Sequence, residues 1–132
     1  PGKVRVAVIG LGMRGSDAVY RLSQISDAEV TVICDVQPDK VKESQETLKK
    51  LGRQPAVEYT GKDDWKKICE RNDLDLIYVC THWDLHTPIA VYAMQKGKHV
   101  ALEVPAALTI KECWDLVNTA EKTRKHGMML EN

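Results

Sequence analysis

Phenylalanine is absent from all 132 residues, and the aromatic side chains are limited to three Trp and four Tyr, an absence that carries no functional reading of its own. An excess of charge of either sign is missing too: nineteen Lys and Arg stand against nineteen Asp and Glu. With no basic block in the chain, no field draws in nucleic acid or an anionic membrane surface, and neither is expected as a partner. No apolar run approaches the ~20 residues of a membrane span. The start, Pro1-Gly2-Lys3, has neither the apolar core of a signal peptide nor an initiator Met, so the natural N-terminus is expected to lie elsewhere. A leader removed from such a terminus would allow a periplasmic or exported protein, and the compartment stays open. Cys34, Cys69, Cys80 and Cys113 show no CxxC spacing. Each lies among apolar neighbours, which predicts small buried hydrophobes and not a disulfide frame or zinc site. Repeats and low-complexity linkers are also lacking. One domain is expected, burying roughly two thirds of its unfolded surface.

What is present is organised around Val4 to Gly15. Val4, Val6, Ala7, Val8 and Ile9 form a nearly continuous apolar run, as for a central parallel strand with both faces covered. The run enters Gly10-Leu11-Gly12-Met13-Arg14-Gly15 and then a segment of helical period. In a phosphate-binding turn of this spacing, Gly10 permits the tight turn, Gly12 lets backbone approach a pyrophosphate, and Gly15 lets the helix pack on the strand. The helix N-terminus then offers free N–H groups to the phosphates. A second apolar strand, Val30 to Cys34, ends at Asp35, 20 residues beyond Gly15 and placed to accept hydrogen bonds from a ribose. Asp35 would repel a 2′-phosphate, and Val36-Gln37-Pro38 brings no cation to offset it, so NAD is expected over NADP.

Strand and helical patterns alternate along the rest. Helices are predicted over about Arg14 to Ser26, with Ala18, Val19, Leu22 and Ile25 inward, and from Pro38 to a stop at Gly52, with Val41, Leu48 and Leu51 inward. Ala56 to Tyr59 reads as a short strand and about Asp63 to Arg71 as a short helix, with Trp65 taken as core. Leu74 to Thr81 is the next strand, followed by a helix over Leu85 to Lys96 closed by Gly97. His99 to Glu103 is a fifth strand. Thr109 and Glu112 make a capping box, after which Ile110, Cys113, Trp114 and Val117 form the predicted buried stripe of a helix reaching about Lys125 and stopped by Gly127. Met128-Met129-Leu130 opens a sixth strand. Alternation of this kind predicts an α/β fold of three layers, a doubly wound parallel (Rossmann) sheet of order 3-2-1-4-5-6 with ligand at the carboxyl ends of the strands. Asp35, the Thr81 to His86 loop, Glu103-Val104 and Asn132 all follow a strand's last apolar residue, which points to one binding crevice. His82 and His86 have a zinc-like spacing, but no third ligand accompanies them and no metal is expected.

From Val4 to Asn132 the order of motifs resembles the N-terminal domain of the Gfo/Idh/MocA oxidoreductases. That family has GxGxxG, an acidic end to strand two, a Thr-containing loop with a downstream His after strand four, and Glu-Lys-Pro after strand five. Here the last reads Glu103-Val104-Pro105, so the Lys that the family's dehydrogenases hold near the reacting hydroxyl is replaced by Val104. Gly12-Met13-Arg14-Gly15, Cys80-Thr81-His82-Trp83-Asp84-Leu85-His86, Glu103-Val104-Pro105-Ala106-Ala107 and the run from Glu112 to Asn132 are most similar to family 109 glycoside hydrolases, NAD-dependent α-N-acetylgalactosaminidases.

The resemblance implies NAD as cofactor and a redox-neutral hydrolysis, in which the sugar C3 is transiently oxidised, the glycosidic bond leaves by elimination, water adds and the hydride returns. It implies Gly10, Gly12, Met13, Arg14 and Gly15 at the pyrophosphate and Asp35 at the adenosine ribose. Thr81, Trp83, Asp84, Leu85, His86, Glu103, Val104 and Asn132 would surround the nicotinamide end. No catalytic set is expected within these 132 residues: in the family, sugar-binding and acid/base groups lie mainly in a second domain, so residues 1–132 read as an NAD-binding domain whose sugar substrate is met through a domain absent from the chain. A conventional NAD-dependent sugar dehydrogenase fragment and a noncatalytic NAD-sensing module remain alternatives. Self-association through a sixth strand left at the sheet edge is also expected.

Overall fold

The computed structural model describes residues 2–130. Strand and helix alternate throughout: β1 Val4–Ile9, α1 Met13–Leu22, β2 Ala28–Cys34, α2 Pro38–Lys50, β3 Val57–Tyr59, α3 Asp64–Cys69, β4 Leu76–Val79, α4 Trp83–Gln95, β5 His99–Glu103, α5 Ile110–Thr123 and β6 Gly127–Leu130. The strands form one parallel sheet in the order β3-β2-β1-β4-β5-β6, which is the doubly wound order expected.

Period-two alternation in β1 explains how one apolar run serves two cores. Val6 and Val8 pack with Ala18 and Val19 of α1 and Val41 and Leu48 of α2, whereas Ala7 and Ile9 join Ile68 and Cys69 of α3 and Ile89, Ala90, Ala93 and Met94 of α4. Three layers result. In β2 the alternation is interrupted: Val6 pairs with Val30 but Ala7 pairs with Val32, so Thr31 is an extra residue in a bulge. As a consequence Val30 and Ile33 share one core, and Val32 and Cys34 the other.

Several boundaries differ from the periodicity for identifiable reasons. α1 stops at Leu22, and Ile25 is exposed in a turn where the Arg53 guanidinium donates to the carbonyls of Ser23, Ile25 and Ala28 at 2.8–3.0 Å. Val4, at the start of β1, is exposed, and β4 is shorter than its apolar run. α4 starts two residues earlier than expected, at Trp83. α5 has the Thr109 cap, whose hydroxyl accepts from the Glu112 N–H at 3.1 Å while the Glu112 carboxylate accepts from the Leu108 N–H at 2.9 Å.

The face of α5 is a correction. Ile110, Cys113, Trp114 and Val117 are exposed, and it is Leu116 and Ala120 that pack on the core, without any α5 residue being fully buried. Cys113 is therefore not the buried hydrophobe expected, although Cys34 and Cys69 are. Gly127 does not stop the helix either. Arg124 does so in the left-handed conformation (φ 58°), and Gly127 begins β6.

Candidate functional site

The turn between β1 and α1 is shaped by what two glycines omit. Gly10 has φ +92°, and a Cβ there would lie 2.4 Å from the Cys80 carbonyl oxygen, so the turn presses directly on the end of β4. A Cβ on Gly15 would lie 1.7 Å from the Gly10 carbonyl oxygen, which is how α1 comes so close to the strand. At Gly12 a Cβ would meet nothing within 4 Å. Its bareness serves no packing need, and leaves open space in front of the first turn of α1, where a helix directs its N–H groups. Met13 is exposed, and Arg14 lies near enough for its charge to be felt at the Cys80 thiol.

Asp35 is fixed by that same turn. One carboxylate oxygen accepts from the Leu11 N–H at 2.8 Å and the other from the Gln37 N–H at 2.8 Å, joining the glycine turn to the start of α2. Each oxygen has a further lone pair for a hydroxyl donor. Beside it lies a cavity of about 310 Å³ at the carboxyl ends of β1, β2 and β4. Gly10, Gly12, Asp35, Thr81 and Leu85 line it with Lys40, Lys62 and Trp65. Those last three are additions to the expected set. Trp65 packs edge-on against Tyr92 (centroids 5.9 Å apart), so it is core and cavity wall together. Val36-Gln37-Pro38 brings no cation, as expected, but Lys40 and Lys62 line the same cavity as Asp35, arriving from α2 and from the loop after β3.

The remaining expected residues occupy three other places. Trp83 and Asp84 line a neighbouring cleft with Thr81, His82 and Leu108. Glu103 accepts from the Tyr78 hydroxyl at 3.4 Å in a groove beside α1, and Val104 is exposed just beyond it. His86 is buried, with Nδ1 2.7 Å from the Pro105 carbonyl oxygen and Nε2 2.9 Å from that of Thr81, and the Thr87 hydroxyl donates to the Ala106 carbonyl at 2.8 Å. The first turn of α4 thus ties together the loops after β4 and β5, and His86 reaches the crevice through those loops. Asn132 lies outside the described residues.

Reactivity is low where the crevice might have held a nucleophile. Burial, reinforced by the Glu103 charge and opposed by Arg14, pushes the Cys80 thiol up to about 12. Burial, then Cys80 and Glu103, pushes the Tyr78 hydroxyl up to about 12 as well. Both stay protonated near neutral pH. The arrangement suits holding an extended ligand that carries anionic, ribose and aromatic parts, and NAD has all three: bare backbone and helix N–H groups for a pyrophosphate, a carboxylate for a ribose, an apolar-walled cavity for a base.

Comparison with known proteins agrees with that geometry. Residues 4–130 match the profile of the oxidoreductase family with an NAD-binding Rossmann fold, Gfo/Idh/MocA. The chain is 52% identical over 130 residues to a glycosyl hydrolase family 109 protein of Porphyromonas gingivalis and 52% identical over 129 residues to an α-N-acetylgalactosaminidase of Bacteroides fragilis. These alignments take in 98% of the chain but span only 28% and 30% of the two relatives' lengths. Among solved structures, the chain superimposes on the WlbA dehydrogenase of Chromobacterium violaceum, solved with NADH and UDP-GlcNAcA, with a TM-score of 0.81 at 24% identity over 98% of this chain and 35% of that one. The scyllo-inositol dehydrogenase of Lactobacillus casei, with NAD(H) and scyllo-inositol bound, gives 0.82 at 19% identity over 96% of this chain and 36% of that one. The glycine turn, the acid that ends β2 and a family match running from β1 to β6 together make this chain a member of the Gfo/Idh/MocA oxidoreductase family, as its NAD-binding Rossmann domain.

Proposed function

We propose that this chain is the NAD-holding part of an enzyme that hydrolyses α-N-acetylgalactosaminides, with sugar binding and acid/base chemistry carried by the portion of the relatives that it does not span. The observation that carries the reading is the 52% identity to an α-N-acetylgalactosaminidase over 98% of the chain, on a fold whose crevice has the chemistry to hold NAD.

When bound, NAD would supply reversible hydride removal from the sugar C3, so the sequence of steps ends with no net oxidation. The chain's own residues hold and orient. Gly12 and the first turn of α1, with Met13 and Arg14, take the pyrophosphate; Asp35 accepts from the adenosine ribose; Gly10 and Gly15 set the turn that makes both contacts possible. Thr81, Trp83, Asp84 and Leu85 border the nicotinamide end, and His86 and Thr87 fix the loops on which Thr81, Glu103 and Val104 stand. Val104 can neither accept nor donate a proton. Cys80 and Tyr78, both held up at about 12, are poor bases. In this reading proton transfer at the sugar is assigned to the portion of the relatives that the chain does not span, and so is orienting the sugar, a contribution of several kcal/mol to lowering a barrier.

The test is a chimera in which this chain replaces the matching 129 residues of the B. fragilis relative. The chimera is expected to cleave an aryl α-N-acetylgalactosaminide with NAD bound, while the 132-residue chain alone binds NAD and shows neither cleavage nor net dehydrogenation. A chimera that folds and binds NAD but leaves the glycoside intact overturns the hydrolase reading. Cleavage by the isolated chain would show that its catalytic groups have been misplaced.

A further inference from the structure

We propose that His82 is a cofactor contact: its imidazole meets the diphosphate of bound NAD, and binding draws a proton from the buffer onto that ring. His82 has this role only if the pyrophosphate lies at Gly12 and the first turn of α1, as proposed above, whichever reaction the cofactor serves. β1 lies between β2 and β4 in the sheet, so the glycine turn is flanked by Asp35 on one side and by Thr81 and His82 on the other. That second flank is close. A Cβ on Gly10 would lie 2.4 Å from the Cys80 carbonyl oxygen and 3.0 Å from the Thr81 nitrogen, and His82 is the next residue along. Gly10, Gly12, Asp35 and His82 accordingly line one cavity of about 310 Å³. Among the described residues around it, Thr81 and His82 alone also line the cleft that holds Trp83 and Asp84. A dinucleotide with its adenosine ribose at Asp35 and its pyrophosphate at Gly12 runs on towards the end of β4, where His82 stands.

The ring has nothing else to hold. His82 is the N-cap residue of α4, a position that favours a side chain accepting from the first N–H groups of the helix, yet its side chain caps nothing. It is exposed, and among the described residues its ring makes no hydrogen bond or ion pair, whereas the Thr81 hydroxyl donates to the His82 carbonyl at 3.2 Å. One turn along α4, His86 has both ring nitrogens against loop carbonyls. The charges around His82 suit an anion. Lys40 and Lys62 line the cavity against the single carboxylate of Asp35, which two backbone N–H groups already hold, and Asp84 lines the cleft. Arg14 acts from α1 through its nearness to Cys80, a thiol that burial pushes up to about 12 and keeps neutral. The two lysines oppose a further positive charge on His82. The negative charges of a diphosphate offset them and favour the imidazolium, whose N–H donates to a phosphate oxygen in a charge-assisted hydrogen bond. A ring that carries more proton in the complex than in the free chain makes binding tighter as pH falls.

Isothermal titration calorimetry of the 132-residue chain with NAD, in two buffers of different ionisation heat, measures the proton directly. Uptake of a fraction of a proton is expected, with affinity falling about 10-fold from about pH 5 to about pH 8, the span in which an imidazole changes charge. ADP-ribose, which has the diphosphate but no nicotinamide, should behave alike. His82→Gln should abolish the uptake and bind at every pH as the wild type does at the alkaline end. His82→Arg, a permanent cation, should also take up no proton yet bind tightly throughout. Far-UV circular dichroism checks that both variants are folded. Uptake that survives in His82→Gln, wild-type affinity independent of pH, or uptake with NAD but none with ADP-ribose would each overturn the proposal. Gly12→Ala that binds both ligands as tightly as wild type would overturn it by a different route, since the pyrophosphate would then not lie at Gly12.

Discussion

A Cβ on Gly15 would stand 1.7 Å from the carbonyl oxygen of Gly10, inside any possible van der Waals contact. Both atoms belong to main chain that is fixed at its other end, so neither can swing aside. Gly15→Ala should therefore cost about 3 kcal/mol or more, the upper range for overpacking, read as a lower denaturation midpoint. Gly12→Ala should behave in the opposite way. Its Cβ meets nothing, so the fold should lose no more than about 1 kcal/mol while affinity for NAD falls sharply, because the methyl occupies the space left for the pyrophosphate. Equal destabilisation by both would mean that Gly12 has a packing role.

Asp35 and its two lysine neighbours set the cofactor preference jointly. The carboxylate should favour NAD over NADP, and Lys40 and Lys62 on the same cavity should soften that preference. Asp35→Asn, which keeps an acceptor for one of the two backbone N–H groups, should weaken NAD by roughly 10-fold or more, the worth of a charged hydrogen bond, and narrow the gap to NADP. Lys62→Ala should widen the gap. Titrations of both cofactors into the three proteins check this, and equal affinities for the two in the wild-type chain would remove Asp35 from the ribose.

Thiol chemistry should single out Cys113. Burial pushes Cys34, Cys69 and Cys80 up to about 12, leaving about one thiolate in ten thousand at pH 8, whereas Cys113 stands exposed on α5. Ellman's reagent should titrate one thiol quickly in the native protein and the remainder only in denaturant. Cys113→Ser should abolish the fast phase.

Acid should weaken the fold in two stages. His99 accepts the His126 N–H on Nδ1 at 3.0 Å, and burial, then Lys125 and His126, holds its ionisation below the ordinary 6.5 against a partial offset from Asp75. A group shifted down in the folded state contributes stability that is complete above 6.5 and is lost as pH falls through its folded value. Asp75, held below 3.8 chiefly by the Arg5 guanidinium and the Arg5 N–H, adds a second loss at lower pH by the same sign. Urea midpoints across pH should decline in both windows. His99→Gln should flatten the upper window and spare the lower.

The bounds of β5 and the Thr109–Glu112 cap were legible in the sequence because each depends on neighbours within a few positions, and the strand order because strand–helix alternation behind a glycine fingerprint selects the doubly wound arrangement. The face of α5 was not. Ile110, Trp114 and Val117 have ideal helical spacing, but so do Leu116 and Ala120, and periodicity says that a helix is two-faced without saying which face is covered. Lys40, Lys62 and Trp65 escaped for another reason: the cavity they share with Asp35 exists only once the sheet brings α2, the loop after β3 and α3 to one end. His86 was legible as a residue of the crevice, while its hold on two carbonyls 24 residues apart in the chain, those of Thr81 and Pro105, was not.

The extra residue at Thr31 has a consequence for aim. Side chains on a strand switch faces at every step, so one surplus residue reverses the phase of everything after it. Val30 and Ile33 face one core and Val32 and Cys34 the other only because of that reversal, and Asp35 follows immediately. A β2 shortened by Thr31 would carry the acid to the strand end half a pleat out of step, turned from the Leu11 N–H that now holds it at 2.8 Å. The direction of the one acidic group in the cavity is thus decided four residues upstream, by a threonine that touches no part of it.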